Sequence, residues 1–259
     1  LIQEFLTYIF SNCSKEARVF GHLYESISII EREKRRRLDW LDHRNHCKEL
    51  IKNEISKLKL RNKILILGSG PLHEIPMEFI IDSFENIILV DIIHPKHIVK
   101  KFSSHPKVTL VEKDITAVER LLIDKQELIQ IIPDDFLDDS FDFVISANVM
   151  SQLALHITNY CSKNLAHKFT SLELENYSLI ISKNHYHYLK NFSCKVLLIT
   201  DIEKIYLNKK HERLESEKNY THLELPKPID YWIWNVAMIP EISKEFSLQL
   251  KVAGFILNG

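Results

Sequence analysis

The stretch Ile64-Leu65-Ile66-Leu67-Gly68-Ser69-Gly70-Pro71-Leu72-His73-Glu74 decides the fold: four large aliphatic residues in succession, a turn with two glycines, then residues that open a helix. A strand that is apolar at every position is buried on both faces, the mark of a parallel sheet covered by helices on two sides. Glycines in the turn let the backbone pass close to a ligand and aim its amides there.

Working outward, residues 63–67, 86–91, 107–112, 141–146 and 195–200 all read as short, β-branched strands closed by turn or acidic residues. Segments 74–83, 95–103 and 167–192 between them have helical spacing, and this alternation builds βαβ units. Before the first strand, Val19, Phe20, Leu23, Tyr24, Ile27, Ile30, Leu38 and Leu41 recur at three- and four-residue intervals, so residues 1–60 read as a helical cap. Residues 231–237 and 246–257 read as two more strands joined through Pro240 in an antiparallel pair, and the polar run 201–225 reads as a surface excursion. The expected architecture is a Rossmann-like, doubly wound, seven-stranded α/β sheet over residues 61–259. It is mostly parallel with an antiparallel last strand and carries an N-terminal helical extension.

Composition narrows the class. Lys and Arg number 34 against 35 Asp and Glu, so no global field draws the chain to nucleic acid or to an anionic membrane. With 45% hydrophobic residues and only 5 Gly, disordered and fibrous readings fall away. Cys13, Cys47, Cys161 and Cys194 form no C-x-x-C pair and read as apolar filler in a reduced compartment. No run is long and apolar enough to span a bilayer, and the apolar stretch 1–10 lacks the basic flank and cleavage site of a secretory signal. A soluble, cytoplasmic protein is the expectation.

The strand ends carry the chemistry. Asp91 closes the second strand, where a carboxylate can accept both hydroxyls of a ribose. Asp114 follows the third strand and could accept from an adenine amino group, with Ile115 against the ring. Ser146-Ala147-Asn148 leaves the fourth strand small and polar. Ligands of open α/β sheets sit where strand order reverses, so these features describe one nucleoside pocket.

In order and spacing, these residues resemble a class I S-adenosylmethionine-dependent methyltransferase. The likeness runs from about Lys63 to the C-terminus, where the tail strands are similar to that family's antiparallel sixth and seventh strands. Leu67 to Leu72, Leu89-Val90-Asp91, Val144 to Leu153, Leu198 to Asp201 and Trp232-Ile233-Trp234 are more narrowly similar to a bacterial branch of that family. The resemblance implies Gly68, Ser69 and Gly70 beside the methionine part of the cofactor, Asp91 on the ribose, Asp114 on the adenine and Asn148 near the methyl. Pro71, Ile92, Ile115, Ala147 and Gln152 are further implied contacts. The family's acid two residues before the first glycine and its third glycine are here Ile66 and Leu72. Glu74 is the candidate that meets the cofactor ammonium instead.

The implied acceptor is a small molecule. The strand-four exit lacks the Pro-Pro-aromatic motif of amino-nitrogen methylation and the Pro-Cys of cytosine-carbon methylation. Direct displacement at a sulfonium gains from alignment and exclusion of water, with a general base optional. His43, His156 and Arg36 are the catalytic candidates by position. Two other readings stay open: a cofactor-binding but catalytically silent interaction protein, motivated by Ile66 and Leu72, and an NAD(P)-dependent oxidoreductase. The dinucleotide fingerprint needs a third glycine where His73 stands.

Other motifs read as structural. His43, His46 and Cys47, His94 and His97, and His185 and His187 cluster without completing a tetrahedral set, so no metal is expected. The run Arg32-Glu33-Lys34-Arg35-Arg36-Arg37 reads as a solvated helix face that could also neutralise a carboxylate substrate. Tyr186 and Lys190 imitate an oxidoreductase pair but precede the fifth strand. Trp232 and Trp234 share one strand face as core or as a substrate wall.

Overall fold

A computed structural model describes residues 13–258; the apolar stretch 1–10 lies outside them. Three helices, α1 (Lys15–Val19), α2 (His22–Arg35) and α3 (Leu41–Ser56), lead into β1 (Lys63–Leu67), α4 (Met77–Ser83), β2 (Asn86–Asp91), α5 (Lys96–Phe102) and β3 (Val108–Glu112). There follow α6 (Glu119–Lys125), β4 (Phe143–Ala147), α7 (Leu153–Asn164), α8 (Ser171–Lys190), β5 (Lys195–Asn208), β6 (Arg213–Lys218), β7 (Asp230–Ala237) and β8 (Phe246–Leu257).

The strands form one sheet in the order β3-β2-β1-β4-β5-β8-β7, with β6 paired to β5 off this path. β1 to β5 are parallel, β8 enters antiparallel to β5, and β7 is antiparallel to β8. Strand order reverses between β1 and β4, which opens a crevice at their carboxyl ends. Alternation along the strands feeds two cores. Leu65, Leu67, Val144 and Leu198 pack with α6, α7 and α8, whereas Ile64, Ile66, Ile145 and Ile199 pack with α3, α4 and α5. The sheet is therefore Rossmann-like and doubly wound, as its uninterrupted aliphatic runs require.

Two expectations change. The sheet has eight strands, not seven, because residues 201–225 are no mere excursion: β5 continues to Asn208 and returns as β6. The segment was misread because β6 is exposed along most of its length and shows no apolar alternation. The helix expected over 74–83 begins only at Met77, capped by Pro76, whose ring fixes φ and removes a backbone donor. Glu74 therefore sits in the preceding turn. At 167–192 the helix is Ser171–Lys190, opened by a Thr170–Glu173 capping box. Among the described residues no helix is long and apolar enough to cross a membrane.

The N-terminal helices are clamped over the crevice by the connection between β7 and β8. Glu241 accepts from Arg35 at 2.5 Å and Arg36 at 3.3 Å, with Arg32 Nε at 3.7 Å, and Arg36 also donates to the carbonyls of Met238 and Ile239. Arg36 is thereby corrected from catalytic candidate to clamp: it lies beyond the end of α2, and its guanidinium is taken up by this turn. The basic run is likewise not a free field, since Lys34 pairs with Glu31 and Arg44 with Glu33.

The hydrogen bond from Arg35, with help from Arg36, holds the Glu241 carboxyl below its usual range. The clamp is therefore fully present above the ordinary carboxylate pKa and lost as pH falls through the lowered one. For Glu241→Gln, amide exchange in α2 is expected to quicken about fivefold at neutral pH, corresponding to about 1 kcal/mol for a partly exposed cluster. Unchanged exchange would show that the clamp does not hold the helix.

Candidate active site

A cavity of about 450 Å³ occupies the crevice at the carboxyl ends of β1, β2, β4 and β5, roofed by α2. Of the residues implied by the sequence, Gly68, Ser69, Gly70, Pro71, Glu74, Asp91, Ile92, Asp114, Ile115, Ala147, Asn148, Gln152 and His156 all line it.

The two glycines serve different ends. A Cβ on Gly68, at φ +74°, would lie 2.6 Å from Val149 Cβ and 3.1 Å from the Ala147 carbonyl, so this glycine lets the turns after β1 and β4 touch. A Cβ on Gly70, at φ +46°, would meet only Asp91 Oδ2, at 3.7 Å, so this glycine leaves room on the cavity side. Gly70 N donates to Asp91 Oδ2 at 2.7 Å and Ile92 N to Oδ1 at 2.8 Å. Burial raises the Asp91 carboxyl, and these amides oppose the rise. The amides of Gly70, Ile92 and Ile93 thus hold the carboxylate, whose two oxygens together have acceptor capacity left for a ligand hydroxyl.

Asp114 is more committed. Its Oδ1 accepts from Thr116 N at 2.8 Å and Thr116 Oγ1 at 2.6 Å, and Oδ2 accepts from Glu119 N at 2.9 Å. It organises the entry to α6 as well as facing the cavity. Beside it His22 Nε2 and Glu119 Oε1 stand 2.5 Å apart, a contact between residues 97 positions apart that no sequence signal announces. Burial pushes Glu119 up to about 10 and His22 down to about 4. The pair is therefore read as neutral, one proton bridging acid and imidazole. Glu119 Oε2 is buried without a hydrogen-bond partner. His156 packs against His22, ring centres 4.0 Å apart and tilted by 41°, and is fixed through Nδ1 to the Phe20 carbonyl at 3.1 Å.

Across the cavity, Trp232 Nε1 donates to His43 Nδ1 at 2.9 Å. An indole can only donate, so His43 carries its proton on Nε2, which faces Glu74 Oε1 at 3.6 Å. His43 is fully buried, and its ring stacks on Trp234 at 3.9 Å. It does not line the cavity and instead stands behind its wall, facing Glu74. Asn148, at φ +51°, turns its amide toward His43 Nε2 (3.4 Å) and Cys47 Sγ (3.8 Å). Gln152 Nε2 donates to the Asn148 carbonyl at 3.0 Å. Trp232 belongs to the core while Trp234 is cavity wall.

Asp201, Lys204, Ser151 and Trp40, to which the sequence assigned no site role, also line the cavity, as does Arg32 of the basic run. Asp201 and Lys204 lay in the segment read as an excursion. The oxidoreductase imitation stays remote: Tyr186 donates to the Glu224 carbonyl with Lys190 over its ring.

No family model matches the chain, and no curated protein sequence matches it. Among solved structures it is similar to 1,6-didemethyltoxoflavin-N1-methyltransferase of Burkholderia thailandensis, determined with 1,6-didemethyltoxoflavin and S-adenosylhomocysteine. That likeness has a TM-score of 0.40 and 12% identity over 91% of this chain and 90% of that one. It is also similar to the YcgJ protein of Bacillus subtilis (TM-score 0.39, 13% identity, 83% and 100% covered) and to the 23S rRNA methyltransferase ErmE (0.31, 10%, 79% and 67%).

Gly68→Ala is expected to destabilise the fold by about 2–4 kcal/mol in urea unfolding, from the left-handed backbone plus overpacking. A change within error would contradict the contact between the turns. Because His156 is held neutral by burial, the unfolded chain takes up an extra proton there between pH 6.5 and about 4, and stability falls as pH drops through that window, whereas the His22–Glu119 pair carries one proton folded or unfolded over most of it. His156→Gln should shallow this acid slope in thermal melts; an unchanged slope would show that His156 titrates normally.

Proposed function

We propose that the protein is an S-adenosylmethionine-dependent methyltransferase acting on a small-molecule acceptor. The observation that carries this reading is the Asp91 carboxylate at the end of β2, held by Gly70 and Ile92 amides next to the crevice where strand order reverses between β1 and β4. The acceptor capacity that remains on its oxygens suits ribose hydroxyls. The antiparallel β8 between β5 and β7 meets the sheet order that the resemblance implies.

In this reading Gly68, Ser69, Gly70 and Pro71 hold the methionine part, Asp91 and Ile92 the ribose, and Asp114 and Ile115 the adenine, with Ala147, Asn148 and Gln152 lining the methyl end. Glu74, braced by His43, meets the ammonium. When bound, the sulfonium supplies an electrophilic methyl group. The chain's own contribution is alignment between α2 and the sheet edge and exclusion of water by Trp40, Trp234 and Leu250.

Charge and backbone both disfavour a dinucleotide. Glu74, four residues after Gly70 and lining the same cavity, suits a cationic ligand and disfavours a pyrophosphate over the glycine turn. No helix N-terminus follows the turn directly, because α4 starts at Met77.

Isothermal titration with S-adenosylmethionine and S-adenosylhomocysteine, with NAD as control, tests the proposal. Saturable binding of both, none of NAD, and a loss of about 10–100-fold in Asp91→Ala are expected, about the cost of removing hydrogen bonds to a charged group. Absence of binding at millimolar ligand would overturn the proposal.

A further inference from the structure

The face of the sheet beyond the cofactor end of the cavity is shaped by two β-bulges. In β5 the register runs from Asp201↔Val252 to Glu203↔Lys251, so Ile202 is an extra residue. In β7 it runs from Trp234↔Leu250 to Ala237↔Leu248, again with one residue too many. Residues three apart on a regular strand point to opposite faces, but the β5 bulge turns both Asp201 and Lys204 to the same one. Lys204, Leu250 and Trp234 then form a row across three strands, next to a row of Asp201, Val252 and Trp232.

This face has a definite chemistry. Trp234 is stacked on His43 on one side and met edge-on by Trp40 at 5.1 Å, giving a flat wall that Val236, Leu248 and Leu250 extend. Asp201 is 5% exposed, and its Oδ2 accepts from Asn219 Nδ2 at 2.6 Å. Among the described residues Lys204 makes one long ion pair, 3.8 Å, to the half-exposed Glu217, and its charge also acts on Asp201. Such a contact holds a lysine weakly, leaving it able to turn to a ligand.

We propose, resting on the methyltransferase reading, that this face is the acceptor subsite for a planar aromatic hydroxyl compound, with Asp201 taking the hydroxyl proton and Lys204 steadying the oxyanion. The oxygen lone pair then forms the new O–CH3 bond, the C–S electron pair stays on sulfur, and the proton rests on Asp201. A flat apolar wall suits an aromatic ring. A cation beside the nucleophile favours oxygen, which is anionic before attack, over an amine, which becomes cationic during it. Burial raises the Asp201 carboxyl more than the hydrogen bonds from Ser151 and Asn219 lower it, which makes it a stronger proton acceptor than an exposed aspartate.

The test uses the full chain saturated with S-adenosylhomocysteine and titrated with 2-naphthol and 2-naphthylamine, wild type beside Lys204→Met and Asp201→Asn. The expected result is saturable 2-naphthol binding, weaker for the amine and about tenfold weaker in Lys204→Met, with homocysteine-nucleoside affinity equal in all three proteins. With S-adenosylmethionine, 2-methoxynaphthalene should form about 100-fold more slowly in Asp201→Asn, the loss typical of removing a general base. Cofactor binding without naphthol binding, or naphthol binding indifferent to Lys204→Met, would overturn the subsite and leave the methyltransferase reading standing. Failure to bind the homocysteine nucleoside would remove that reading and the subsite with it.

Discussion

The turns that leave β1 and β4 approach so closely that no side chain fits between them at Gly68. Everything functional hangs on that contact. β1 and β4 are paired in register with their carboxyl ends level, so the contact fixes the floor of the crevice. The next glycine, Gly70, can then donate its amide to Asp91 while leaving the cavity side open. Backbone conformation, strand register and carboxylate orientation are thus one linked constraint. A wider separation of the two turns would remove the hydrogen bond that aims Asp91.

The cap is held to this floor by polar groups that are almost fully partnered. His43 links α3 to β7 through Trp232 and to the glycine turn through Glu74, and Trp40 Nε1 donates to the Val236 carbonyl. Buried polar networks of this kind specify one arrangement because each broken partner leaves an unsatisfied group in a low-dielectric interior. The arginines of α2 converge on Glu241 in the same way, at the more solvated rim. The resulting cavity has carboxylates around the glycine turn and an apolar, aromatic wall at the far end.

Much of this was legible in the sequence where burial dictates residue type. β1 and β2 coincide closely with unbroken aliphatic runs, and Asp91 and Asp114 at the strand exits reach the cavity. Sequence failed where the determinant is long-range or geometric. β6 is mostly exposed and the outer half of β5 is mostly half-buried, so they show neither a buried run nor alternation. The β5 bulge at Ile202, which turns Asp201 and Lys204 to one face, leaves no trace in residue type. His22 and Glu119 meet across 97 positions of chain. Arg36 and Arg32 have the same chemistry and both face Glu241, but Arg32, within α2, also lines the cavity, whereas Arg36, past the end of α2, does not.

The central claim is that a nucleoside lies across the ends of β1, β2 and β3 with its ribose on Asp91. A crystal structure of the protein with S-adenosylhomocysteine examines this most directly. The account predicts both ribose hydroxyls within hydrogen-bond distance of the Asp91 carboxylate and the homocysteine end directed along Gly68 to Gly70 toward Glu74. A ligand bound away from Asp91, or in the opposite direction along the crevice, would contradict it.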